Sequence, residues 1–411
     1  MQNARFLYTI VFVLFLLWIV VADFVLDHIS GVLCWKFLIY TPWCYFSTSS
    51  SIGYFHLLRV SFSLFVYHFI LMWLTLAANF SANSTIFKNI HRRLWWLKIP
   101  LLIILYIITI FIPNPAWFAW MAVALILTVG FIVCQTLLLT EFSIRANNAI
   151  MERAAPAALL VASVVLLVIA GLQYLLSAVL YFFCIPVWVL YALGIALVIT
   201  IMVVSAVVAR GSVFVAAVIS LFLTFLVVVA ISANAEFWGH IINPFLRKVA
   251  VDNLSYCPLQ FGSLFNNYWL NYIFGSLFNT VFKFVHTIWG AVFLIIAIIT
   301  ACVSTVSFKP LFAQADLKAD DLEGYDSGED DDPESGADIS YPYWRFHLVL
   351  ALAAASIPVA FGTLGSGTFA WYVPVAVLVA VLVSAGLYLW GLLAPVLMQD
   401  YEFFGYNYHS H

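Results

Sequence analysis

Ionisable side chains lie inside long apolar runs of this sequence, where each is costly unless it is paired or faces water or headgroups. Arg59 follows His56 near the start of one such run, and Arg345 and His347 open a later one. An arginine in that position can contact a lipid phosphate, although an interfacial anchor with no further role is the commoner case. Both interpretations stay open for these residues.

The remaining polar groups in the apolar runs offer no catalytic or metal-binding pattern. His68, Gln173 and His286 have no second histidine or carboxylate three or four residues away, so we expect them to be packing residues. Nucleophile elbows, H-E-x-x-H, Walker loops and dinucleotide glycines do not occur. The sequence therefore predicts no enzyme, no metal, no cofactor and no ATP-driven transporter.

The composition identifies the class of protein that must position these groups. Of the 411 residues, 65% are hydrophobic and only 9% are charged, whereas a soluble domain has about 25% charged residues. The apolar runs are long enough to cross a hydrocarbon core of roughly 30 Å as helices. This predicts an integral membrane protein whose partners are membrane phospholipids and not nucleic acids.

We predict an all-α polytopic membrane protein with about ten transmembrane helices. The predicted spans are residues 6–25, 52–78, 94–112, 117–140, 157–183, 186–209, 213–231, 281–306, 343–361 and 371–398. They divide the chain into 1–313, with an outward loop at 234–280, an acidic cytosolic loop at 314–341, and 342–411 with a C-terminal tail.

Basic residues in the short loops predict the orientation of the chain. They follow the second, fourth and sixth spans, which makes those loops and both termini cytosolic; the residues are Lys88, Arg92, Arg93, Lys98, Arg145, Arg153 and Arg210. Asn253 then lies outside as a glycosylation site. The membrane is the plasma membrane or an endomembrane, and the sequence leaves homo-oligomerisation open.

An acidic segment joins the eighth and ninth spans. Residues 316–338 hold 11 of the 19 acidic residues and have too few apolar side chains for a packed core. We expect a disordered loop, with Ser327 as a phosphorylation site or as part of a docking segment for sorting adaptors or lipid-synthesis enzymes. A solvated spacer is the alternative.

The fourth run is unusually long. Between Pro115 and Pro156 it contains only one glycine, Gly130, and it begins apolar and becomes polar from Gln135 onward. As a single helix it would be on the order of 55 Å long and would have to tilt or to run along the surface. Composition alone favours an ordinary span followed by a short surface helix.

The last run ends in a proline. Pro395 frees the carbonyl of Gly391, which predicts a bend beside Tyr388 and Trp390.

Several stretches together resemble the serine incorporator family of membrane proteins. "GLYLWGLLAPVLMQDYEF" is similar to its last helix, and "SIGYFHLLRVSFS" to its second. "LWWLKIP", "FIPNPAW", "CQTLLLTEF", "AAVISLF" and "YPYWRFH" follow in family order over nearly the whole chain. The cysteine-rich N-terminus of the family is missing, so the chain is identified as a divergent member.

The resemblance implies two helix bundles joined by a long, strongly tilted fourth helix, with a lipid-exposed groove between them. It also implies phospholipid handling: incorporation of serine into phosphatidylserine and sphingolipids, and ATP-independent movement of phosphatidylserine between leaflets. The groove residues that we expect on this basis are Arg59, Lys98, Gln135, Glu141, Tyr388, Trp390 and Pro395.

Three functions therefore compete. The first is a scramblase-like lipid transporter, and the second is an accessory scaffold for serine incorporation that docks enzymes through the acidic loop. The third is a serine carrier, which needs a closed midplane site with unwound half-helices. For the carrier, Pro358 is the candidate break.

Overall fold

The computed structural model describes ten segments of the chain. They are residues 4–19, 52–80, 94–112, 116–153, 156–180, 185–208, 211–233, 288–302, 343–362 and 372–397. Asn253, Ser327 and the acidic loop lie outside these residues.

Each described segment contains one α-helix, and no strand occurs in them. The helices are α1 (Ala4–Ile19), α2 (Ile52–Phe80), α3 (Trp95–Ile110), α4 (Ala116–Arg153), α5 (Pro156–Leu180), α6 (Ile185–Val207), α7 (Val213–Ala233), α8 (Ile288–Cys302), α9 (Tyr343–Gly362) and α10 (Tyr372–Leu397). Six of them are long and apolar enough to cross a membrane. The prediction of an all-α polytopic membrane protein is confirmed.

The fourth apolar run forms one helix. α4 has 38 residues from Ala116 to Arg153, a length of about 57 Å at the usual rise per residue. The preference from composition, an ordinary span followed by a separate surface helix, was wrong. The apolar and polar halves of α4 share one backbone because neither proline nor a run of glycines interrupts them.

Two prolines that could interrupt helices do not end them. α9 includes Pro358 and continues to Gly362, so no unwound segment lies there. α10 continues to Leu397 and includes position 395. The side chain of Pro395 lies outside the described part, and the bend beside it stays a prediction.

The buried apolar side chains form two clusters. The first cluster joins α1, α2, α3, α8 and α9 and includes Phe12, Leu64 and Leu350. The second joins α5, α6, α7 and α10, with a few residues of α2, α8 and α9, and is centred on α7, which is buried over nearly its whole length. We call these two sets of helices the first and the second helix group. α4 contributes to both clusters.

Contacts at one end of the first helix group show how its helices alternate in direction. Nη1 of Arg5 at the start of α1 donates to the carbonyl of Cys302 at the end of α8, 2.9 Å away. Nζ of Lys98 at the start of α3 lies 5.1 Å from the ring centre of Tyr8. The Tyr8 ring in turn lies 4.8 Å from that of His347 at the start of α9. The odd-numbered helices of the group therefore begin at one end, as successive spans must.

Candidate functional site: a polar seam along α4

The polar half of α4 is joined to α10 by a buried hydroxyl pair. Oγ1 of Thr136 donates to Oγ of Ser384 over 2.9 Å, and both side chains are buried. The carbonyl of Ile132 in the same helix lies 2.8 Å from Oγ1 of Thr136 and competes with Ser384 for the single hydroxyl hydrogen of Thr136. The contact between α4 and α10 therefore includes a directional hydrogen bond, which apolar side chains would not provide.

One helix turn further along α10, a second pair joins α10 to α6. The hydroxyl of Tyr388 lies 3.2 Å from Oγ of Ser205, and both residues are buried. Ser384 and Tyr388 are four residues apart, so they share one face of α10. From this face of α10, Ser384 contacts α4 and Tyr388 contacts α6.

Gln135 and Glu141 are two further buried polar residues of α4. They are 6% and 7% exposed. Oε1 of Glu141 accepts a hydrogen bond from Nη2 of Arg145 at 2.5 Å. The Arg145 side chain is 34% exposed, so this ion pair reaches from buried Glu141 to the surface of the helix. Hereafter, the polar seam denotes Gln135, Thr136, Glu141, Ser205, Ser384 and Tyr388.

Arg59 lies apart from the polar seam, in the first helix group. It is 2% exposed. Its Nε donates to the carbonyl of Thr109 at 3.1 Å and its Nη2 to that of Ile112 at 3.3 Å, and its guanidinium lies 5.4 Å from the Trp117 ring centre. The arginine therefore holds the end of α3 against the beginning of α4, through carbonyls that also accept hydrogen bonds from the backbone N–H of Ile112 and from Nε1 of Trp117.

Lys98 lies at the opposite end of the first helix group. It is buried at the start of α3, with its ammonium group over the rings of Tyr8 and Trp95. Such contacts stabilise a cation in an apolar setting.

Trp390 lies on the outside of α10, where it is 38% exposed. Of the predicted groove residues, Gln135 and Glu141 are buried on α4 and Tyr388 is buried on α10, where it contacts Ser205. Arg59, Lys98 and Trp390 lie elsewhere.

The sequence analysis missed several residues of the site. Thr136, Ser205 and Ser384 are single hydroxyls in apolar runs, where most such groups bond their own helix. His68 was expected to be a packing residue, and His347 a headgroup contact or an interfacial anchor. The two instead contact each other across two helices, with their Nδ1 atoms 3.3 Å apart. The sequence analysis compared each histidine only with residues three or four positions away, so it could not detect a pair that is 279 residues apart.

The seam can hydrogen-bond a polar headgroup but has no evident catalytic arrangement. Its hydroxyl, amide and carboxylate groups suit phosphate, ammonium or hydroxyl partners. Among the described residues, no group of three histidine, cysteine or acidic side chains could hold a metal ion.

Comparison with known proteins identifies the family. A family model described as "Serine incorporator (Serinc)" matches residues 1–401. No curated protein and no solved structure matches the chain. Because the family model covers almost the whole sequence, this integral membrane protein belongs to the serine incorporator family.

Proposed function

We propose that the protein is an ATP-independent, scramblase-like transporter that moves phosphatidylserine and related phospholipids between leaflets. The observation that carries the proposal is the unbroken 38-residue α4, which contributes to both hydrophobic clusters and carries three buried polar residues of the seam. A path with polar groups lowers the cost of moving a headgroup through hydrocarbon while the acyl chains stay in lipid.

The length of α4 supports an oblique path through the membrane. α4 has 38 residues and α7, which packs beside it, has 21. Near the end of α4, Asn147 accepts a hydrogen bond from Ser212, just before α7 begins. The two helices are thus fixed at one end, and the excess length of α4 fits a tilted helix. The two groups also pack directly on each other, with the Phe293 ring on α8 5.1 Å from the Phe222 ring on α7.

The buried state of the seam suggests how transport is gated. Because Gln135, Thr136 and Ser384 are buried, a headgroup reaches them only when α4 and α10 move apart. The Thr136–Ser384 hydrogen bond is the contact that must break. A neutral hydrogen bond contributes about 1 kcal/mol net, so thermal motion can open it. In this proposal Glu141, with Arg145, attracts headgroups at one mouth of the path.

Arg59, Lys98, Trp390 and Pro395 take supporting parts in the same proposal. Arg59 and Lys98 fix the ends of the first helix group. Trp390 on the exposed face of α10 meets acyl chains, and a bend at Pro395 shapes one wall.

The direct test is lipid transfer in liposomes. Purified protein is reconstituted without nucleotide into vesicles that contain fluorescent phosphatidylserine, and dithionite bleaches the label in the outer leaflet. We expect the bleached fraction to exceed that of empty vesicles. An equal fraction would exclude scrambling.

A matched pair of variants locates the path. Gln135→Leu should slow transfer about fivefold, the factor that corresponds to roughly 1 kcal/mol. Gln173→Leu makes the same change on α5, outside the seam, and should leave the rate unchanged. Equal rates for the two variants would place the path elsewhere.

The accessory scaffold is the second candidate, because residues 316–338 concentrate 11 acidic residues that could dock lipid-synthesis enzymes or sorting adaptors. Deleting these residues should leave transfer in liposomes intact if the protein is a transporter. For a scaffold, the deletion should abolish the serine incorporation that the protein promotes in cells. A serine carrier is less supported, since the continuous α9 provides no unwound segment at Pro358.

A further inference from the structure

α9, in the first helix group, contains a proline and continues past it. Pro358 lies inside the helix, which ends at Gly362. Because proline has no backbone N–H, the carbonyl of Ala354, four residues earlier, loses its usual helix donor. Pro358 and Ala354 are both buried, so solvent cannot replace that donor. A main-chain carbonyl left without a donor in an apolar setting is costly.

A serine of α2 supplies the missing donor. Oγ of Ser61 donates to the carbonyl oxygen of Ala354 over 2.8 Å, and both residues are 0% exposed. Hydroxyls inside helices often bond a carbonyl of their own helix, as Ser63 does with the carbonyl of Arg59, 2.7 Å away. Ser61 bonds instead the carbonyl that Pro358 frees.

Two other hydroxyl groups near this part of α9 are already engaged. Oγ of Ser356 lies 2.7 Å from the carbonyl of Ala353 in α9 itself. Oγ1 of Thr128 on α4 lies 2.7 Å from the carbonyl of Ala124 in its own helix and 3.5 Å from that of Ala355. Because a hydroxyl has only one hydrogen, neither group serves the freed carbonyl, which depends on α2 for its donor.

The bond lies deep in the pair of helices and agrees with a second contact between them. Ser61 is the tenth residue of α2 and Ala354 the twelfth of α9, each about 15 Å from the start of its helix. His68 lies seven residues after Ser61, His347 lies seven residues before Ala354, and these two histidines contact each other. Two contacts that are two helix turns apart therefore define one antiparallel register.

We propose that Ser61, Ala354 and Pro358 form an interhelical lock: the proline exposes a main-chain acceptor, and the serine selects it. The other interior carbonyls of α9 have a helix N–H as their donor. A shifted register would therefore leave Ala354 without a donor and would offer Ser61 no equivalent acceptor. The lock holds α9 on α2 in one register and accounts for a helix that is not unwound at its proline. The inference does not depend on lipid transport.

The backbone of α9 is also confined beyond the proline. Gly290 on α8 packs so closely that a Cβ there would lie 3.3 Å from the carbonyl oxygen of Ala360. Neighbouring helices thus hold α9 both before and after Pro358. This arrangement favours a fixed lock over a hinge that opens.

The test is a double-mutant cycle of Ser61→Ala and Pro358→Ala in the full-length protein, with unfolding followed by SDS titration in detergent micelles. In the wild-type background, Ser61→Ala should raise the unfolding equilibrium constant about thirtyfold, because a buried carbonyl loses its donor. Pro358→Ala restores an N–H for that carbonyl, so in this background Ser61→Ala should raise the constant by no more than about threefold. The ratio of the two effects, about tenfold, measures the coupling.

Ser63→Ala is the matched control. Ser63 is buried on the same helix, but its hydroxyl bonds the carbonyl of Arg59 within that helix, and this carbonyl keeps its helix N–H donor when the hydroxyl is lost. Ser63→Ala should therefore raise the constant by no more than about threefold, equally with and without Pro358→Ala.

Equal effects of Ser61→Ala with and without Pro358→Ala would overturn the proposal, because the carbonyl would then have another donor. If Ser61→Ala does not fold, restoration of folding by Pro358→Ala supports the lock, and failure to restore it overturns the lock. If Pro358→Ala itself does not fold, the two serine variants decide. The lock requires a clearly larger loss for Ser61→Ala than for Ser63→Ala, and equal losses would overturn it.

Discussion

The two helix groups hold their helices together by different means. The first group contains buried charged or titratable side chains in its described residues, among them Arg5, Arg59, Lys98 and the His68–His347 pair. The second group contains no charged side chain in its described residues. Its specific bonds are neutral hydroxyl pairs such as Ser177–Tyr191 and Ser205–Tyr388.

This difference indicates where the molecule can open. Hydrogen bonds to charged groups contribute about 1.5–3 kcal/mol, whereas neutral ones contribute about 1 kcal/mol. Arg59 also engages main-chain carbonyls on the α3–α4 connection, so its loss would disturb two helices at once. We therefore expect the first group to act as a rigid frame and the contact of α4 with α10 to be the one that moves.

The largest expected effect tests the rigid frame. Arg59→Ala should lower the free energy of unfolding by about 3 kcal/mol, because it removes two charge-assisted hydrogen bonds, to the carbonyls of Thr109 and Ile112, and opens a cavity. Thermal unfolding in detergent measures the change. Arg145→Ala, at a partly exposed i,i+4 ion pair, should cost less than about 0.5 kcal/mol. Similar losses for both variants would contradict the rigid frame.

A smaller effect tests whether close packing holds the second group together. A Cβ at Gly194 on α6 would clash with the hydroxyl of Tyr174 on α5, so Gly194→Ala should cost about 2 kcal/mol. Gly171 on α5 has open space around it, and Gly171→Ala should be neutral or stabilise the protein by up to about 1 kcal/mol. The same unfolding assay compares the two, and equal effects would mean that the second group tolerates looser packing than the structure indicates.

The smallest expected effect concerns the contact between α4 and α10, which we expect to move. Thr136→Val combined with Ser384→Ala removes the α4–α10 hydrogen bond while keeping nearly the same shape. The loss of about 1 kcal/mol should raise the lipid transfer rate in liposomes about fivefold. Ser177→Ala removes a hydroxyl bond between α5 and α6 and should leave the rate unchanged. A slower double variant would show that the hydroxyls assist passage more than their bond restrains it.

Much of the fold was predictable because hydrocarbon imposes a simple rule on sequence. Every backbone polar group that crosses lipid must be satisfied within its own helix, so apolar runs mark helices directly. The predicted spans 52–78 and 213–231 correspond to α2 at Ile52–Phe80 and α7 at Val213–Ala233. The rule does not apply to the polar half of α4. Polar residues can follow an apolar run both where the helix continues and where it ends, so the length of this helix was not evident from hydropathy.

The candidate site was less predictable. Gln135 and Glu141 were recognisable as polar residues on a long helix, but the contact of the neighbouring Thr136 with Ser384 depends on how α10 packs against α4. Arg59 had the residue type of a headgroup contact, yet its donors reach the carbonyls of Thr109 and Ile112.

The amino-acid sequence alone determined that this is an integral membrane protein, the ten helices of the described segments, and the resemblance to the serine incorporator family. Hydropathy and local motifs are properties of contiguous stretches of sequence, so they can be recognised without the tertiary structure. Only the tertiary structure decided that His68 meets His347 and that Thr136 meets Ser384. Such pairs depend on the rotation and register of helices that are far apart in the chain, and those are set by the packing of all their neighbours together.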